Sequence, residues 1–81
     1  MTWVNTNNWL SQSANGYPVV SDNDIYYIQL PNKPSPQQIG QSDTEPTQVD
    51  IPAGISGNVT VIWGDTKSTS GLIYTCIVNV P

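Results

Sequence analysis

Between Gly57 and Val80 apolar and polar side chains change places at almost every step, and this alternation limits the possible folds more than any other stretch of the chain. Val59, Val61 and Trp63 fall on one side of an extended backbone, with Asn58, Thr60 and Ile62 on the other. A repeat of two residues is the period of a β-strand. The pattern resumes at Leu72, Tyr74, Cys76, Val78 and Val80, which alternate with Ile73, Thr75, Ile77 and Asn79. β-branched and aromatic side chains of this kind suit a pleated surface. The run from Gly64 to Gly71 is polar with a glycine at each end, so the two strands are expected to form a hairpin. A lone hairpin is marginal in water, so other segments must cover it.

Further strands are expected at Thr2–Thr6, Asn8–Gln12, Tyr17–Ser21, Asp24–Leu30 and Thr47–Ile51, with Asn58–Trp63 and Leu72–Val80 completing seven. Asn15-Gly16 supports a tight hairpin turn because both residues tolerate positive φ. Pro18 places the strand that follows at a sheet edge, or else lies at its start. Ser21 to Asp24 is a second turn of side chains that bond their own backbone. Asp24–Leu30 carries Ile25 and Tyr27 on one side and Tyr26, Ile28 and Leu30 on the other. This is the pattern of a central strand covered on both faces. Residues 31–46 hold Pro31, Pro34, Pro36 and Pro46 and read as a long extended loop crossing between sheets. No window shows helical spacing free of glycine or proline.

Short strands with frequent turn signals predict an all-β chain: a single domain over 1–81, built as a small antiparallel β-sandwich of the Ig-like or Greek-key type. A small β-barrel is the alternative. The tryptophans are expected to fill the interior. With 81 residues, a domain buries only roughly 60 to 65% of its unfolded surface, so the core is thin.

Of the side chains, 37% are hydrophobic and only 10% charged, with a net charge of −4; neutral Ser, Thr, Asn and Gln make up the difference. Two lysines without arginine or histidine leave too few cations to neutralise phosphates or to dock on anionic lipid, so neither nucleic acid nor membrane is an expected partner. No apolar run nears the roughly 20 residues that span a bilayer. The opening residues lack a cationic start and an apolar core, so no signal peptide is expected in them, and a virion or an extracellular surface both suit the composition.

Catalysis near neutral pH most often uses histidine, which is absent. Paired carboxylates are the substitute, and the candidates are Asp22 with Asp24, Asp43 with Glu45, and Asp50 or Asp65. All but Asp50 fall in predicted turns, where aspartate bonds the backbone, so the chain is read as no enzyme. Asp22-Asn23-Asp24 offers oxygens suited to calcium, but the glycine and distal glutamate of a calcium loop do not follow. No metal or cofactor is expected. Asn58-Val59-Thr60 matches a glycosylation triplet inside a predicted strand and is read as a chance match. Cys76 stands alone and is expected as a small buried side chain.

In its richness in Asn, Thr, Ser and Gly and its poverty of charge, the composition resembles β-rich modules of virion, tail-fibre and adhesin proteins. The expected role is non-enzymatic recognition or assembly through protein–protein contacts, with another protein or with its own subunits as a homo-oligomer. The alternative is a carbohydrate-binding module, in which Trp3, Trp9, Tyr17 and Tyr26 would stack on sugar faces while Asp22 and Asp24 bond hydroxyls. A third reading is a proteinase inhibitor presenting Lys33 or Lys67. No disulfide braces either segment, and a preorganised loop is what such inhibitors need.

Overall fold

The computed structural model describes residues 2–13, 23–29, 33–64 and 72–81. Among these, seven antiparallel strands run in the order β1 (Thr2–Asn5), β2 (Leu10–Ser13), β3 (Asp24–Gln29), β4 (Lys33–Gln41), β5 (Gln48–Ile51), β6 (Gly57–Trp63) and β7 (Leu72–Val80). They form a five-stranded sheet of order β2-β7-β6-β3-β4 and a two-stranded sheet β1-β5. The two sheets do not join into a closed barrel.

The alternation that predicted the hairpin governs its packing. β6 and β7 pair in register from Gly57 opposite Val80 to Trp63 opposite Tyr74. Val59, Val61, Trp63, Cys76, Val78 and Val80 thereby share one face, which buries them against Val4 of β1 and Val49 and Ile51 of β5. The small sheet thus roofs the large one across a single apolar layer. Ile62 and Ile73, displaced by one residue, point to the opposite face and meet Ile28 in a second cluster, with Tyr26 packed beside it.

β3 lies between β6 and β4, as a strand apolar on both faces should. Ile25 and Tyr27 enter the main cluster and Ile28 the second. The end of β3 is held by Asn23, whose φ of 68° is one that asparagine tolerates. The Asn23 N–H donates to the Gly64 carbonyl, and the Asn23 carbonyl accepts from the Ser42 N–H at 2.8 Å.

The largest correction concerns residues 31–46. Lys33–Gln41 is a strand, not loop, and only residues 42–47 make the expected crossing to the small sheet. Proline lacks a ladder donor, which is harmless where the donor would face no partner. β4 is an edge strand, and its pairing with β3 shifts register between Tyr27 and Gln29, the stretch opposite Pro34 and Pro36. The prolines therefore sit where an edge and a bulge excuse their missing N–H groups.

A second correction concerns the tryptophans. Trp63 is core, Trp9 is half-buried, and Trp3 is 63% exposed. Trp3 lies opposite Asp50, in the register that leaves Val4 and Val49 facing inward, so the pleat turns it outward. A third correction is that β2 begins at Leu10, because Asn8 adopts a left-handed φ of 54° that breaks the extended chain before it. The expected Asn15-Gly16 turn and the strand Tyr17–Ser21 lie outside the described residues.

The division among the tryptophans is measurable. Trp63→Ala removes a buried indole and its 2.9 Å hydrogen bond to the Ser42 carbonyl, and should cost about 3 to 5 kcal/mol in urea unfolding. Trp3→Ala should cost less than about 1 kcal/mol. Equal losses would contradict this packing.

Candidate functional site

Among the described residues β4 and β5 each pair on one side only, and an opening lies between them. A groove of about 460 Å³ lies there, lined by Gln38, Ile39, Asp50, Pro52 and Ala53. A recess of about 160 Å³ adjoins it, reaching Trp3, Gln41 and Gln48 and sharing Ile39 and Asp50 with the groove. Ligand sites are concave, mainly apolar and furnished with a few polar groups, commonly in a volume of roughly 300 to 1,000 Å³.

Strand geometry explains how these residues meet. On β5, Val49 and Ile51 turn inward to the core, so Gln48 and Asp50 turn outward beside Trp3. On β4, Ile39 packs at the border of the main cluster. Gln38 and Gln41 flank it, with the Gln41 amide donating at 2.7 Å to Asp24 Oδ1.

Within this arrangement Asp50 is unusual. Its Oδ1 is shielded from solvent and, like Asn23 Oδ1, has no hydrogen-bond partner among the described residues. A buried polar atom left in this state costs free energy on the order of 1 to 3 kcal/mol, and nearly all such atoms in native proteins are satisfied. Trp3, across the strand pair from Asp50, presents an open aromatic face.

The residues singled out from the sequence do not converge on one place. Trp3 lies at the recess beside the groove. Trp9 is held away from it, its Nε1 donating at 2.9 Å to the Pro46 carbonyl and its ring 6.1 Å from that of Trp63. Tyr74 extends this aromatic stack, 5.5 Å from Trp63. Tyr26 belongs to the outer face of the large sheet, and Asp24 is buried and bonded to Gln41. Tyr17, Asp22, Asp65 and Lys67 lie outside the described residues, while Lys33 is part of β4, opposite Gln29. Among the described residues no three His, Cys, Asp or Glu side chains gather as a metal site.

Sequence reasoning marked Asp50 only as the one carboxylate outside a turn. It missed Gln38, Ile39, Gln41 and Gln48. The brief alternation of β5 carries the signal for Gln48, but the proline content of residues 31–46 hid the strand that supplies the others.

Leu10 and Ile77 form a second exposed feature. They are 62% and 73% exposed and lie diagonally across β2 and β7, since Leu10 opposes Thr75 on the outer face. Comparison with family models, curated proteins and solved structures gave no match.

Cys76 is buried and free, its Sγ donating at 2.9 Å to the Asn7 carbonyl. Burial pushes the thiol above its ordinary value. Since the native thiol ionises later than the unfolded one, its contribution to stability is intact below about pH 8.5 and is lost as pH rises through the native value. Cys76→Ala should therefore lessen the fall in stability between neutral and alkaline pH, as read by urea unfolding. The native protein should react with a thiol reagent far more slowly than the unfolded chain.

Proposed function

We propose that the chain is a non-enzymatic recognition module, a small β-sandwich of the Ig-like or Greek-key type, serving as β modules of virion, tail-fibre and adhesin proteins do. The observation that carries this reading is the orphaned Asp50 Oδ1 in a groove beside an exposed tryptophan. Binding sites often hold polar groups at the expense of the free protein's stability, and the Asp50 carboxylate borders the groove with one of its oxygens unsatisfied by the fold. The remaining polar groups at the groove are side-chain amides, which can hold a ligand but supply no general acid or base near neutral pH.

Replacing Asp50 by alanine removes the orphan and should stabilise the free protein by about 1 kcal/mol. For a chain of this size that is a rise of roughly 4 to 8 °C in the melting midpoint. A fall in the midpoint would show that Asp50 serves the fold and would remove the argument for a site.

A second reading, assembly with further copies of the chain, is favoured by Leu10 and Ile77. They lie beside β2, which among the described residues pairs on one side only, with β7. Paired antiparallel about a twofold axis, such an edge brings Leu10 and Ile77 of both copies to one face. Light scattering at tens of micromolar should then give at least a dimer that Ile77→Asp dissociates; a monomer removes this reading.

A further inference from the structure

We infer that the groove between β4 and β5 binds a neutral saccharide, with Trp3 as the stacking platform and Asp50 as the acceptor that orients one hydroxyl. This rests on the reading of the groove as a recognition site and names the class of its ligand.

The choice of class follows from the groove's chemistry. The groove is lined by Ile39, Pro52 and Ala53 with the Gln38 amide and the Asp50 carboxylate, and the recess that adjoins it at Ile39 and Asp50 adds Trp3 and the amides of Gln41 and Gln48. A carboxylate only accepts hydrogen bonds, whereas an amide both donates and accepts. A ligand satisfying the whole set must donate to Asp50 while exchanging bonds in both directions with the glutamines. A hydroxyl does both. An ammonium group would suit Asp50 but leave the amide donors unused, and an anion would be repelled by it. The C–H faces of a sugar ring match the open indole, whose aromatic face carries partial negative charge.

An extended peptide is the competing occupant, since the free edges of β4 and β5 expose backbone donors and acceptors. A strand inserted between two others needs its neighbours roughly 9.5 Å apart, twice the ordinary spacing. Cα atoms of β4 and β5 approach within 8 Å, so a strand cannot complete the sheet along their length. The space widens instead into a groove of about 460 Å³ toward Pro52 and Ala53. That space suits one or two sugar rings lying against the wall.

The test is titration of the whole chain with neutral oligosaccharides of glucose, galactose, mannose and N-acetylglucosamine, followed by tryptophan fluorescence and saturation-transfer NMR. Sialylated oligosaccharides and a set of neutral and lysine-rich peptides serve as comparison. At least one neutral saccharide should bind, and Trp3→Ala and Asp50→Ala should each weaken it about tenfold or more, with both variants folded and the Asp50→Ala midpoint not lowered. Asp50→Asn, which keeps an acceptor oxygen, should retain most of the affinity, as a merely structural role for the charge would not predict. Saccharide binding indifferent to Trp3→Ala and Asp50→Ala would overturn the placement. If a peptide binds in a Trp3- and Asp50-dependent manner and no saccharide does, the ligand class is overturned and the recognition site stands. If nothing in either panel binds, both fall.

Discussion

The structure depends on the burial of one face of β6 and β7 beneath β1 and β5. Val59, Val61, Val78 and Val80 are close to fully enclosed, and Ile51 of the small sheet is completely so. These side chains are apolar, branched and stiff, so enclosing them gives a large hydrophobic return with little rotamer entropy lost. Two strands are a small lid for a sheet of five. They suffice where the central strands lie, and the lid ends at β4.

That shortfall creates the groove. β4 extends the large sheet past the roof, so its inner side is covered only in part, with Ile39 at the boundary. The same edge position admits Pro34 and Pro36 into a strand, because half of its backbone groups have no neighbour to address. Proline also discourages further pairing along an exposed edge, which limits unwanted strand addition. One structural circumstance therefore accounts for both the proline-rich sequence and the opening beside it.

The three tryptophans show how differently one residue type is used. Trp63 lies in the core and ties its indole N–H to the crossing at Ser42. Trp9 closes the adjacent end against Pro46, where the Thr6 hydroxyl donates to the same carbonyl at 2.7 Å. Trp3 alone is left to solvent, at the position where an aromatic surface is useful to a ligand. Asp24 and Asp50 divide in the same way: the first has its partner within the fold, and the second lacks one.

The period-two pattern determined the strand identity of Asn58–Trp63 and Leu72–Val80, their hairpin pairing and the side chains that face the core, because side-chain direction along an extended chain is a local property. It likewise marked β3 as an interior strand. What the chain alone did not disclose were the strand at Lys33–Gln41, the exposure of Trp3 and the meeting of Gln38 and Gln41 with Gln48 and Asp50. Each depends on which edges lie side by side and how far one sheet overhangs the other. Proline disfavours a central strand but not an edge, and local composition does not reveal which position a strand takes. Only the tertiary arrangement brings β4 beside β5, and with it the groove where an unpaired carboxylate oxygen lies next to an open indole face.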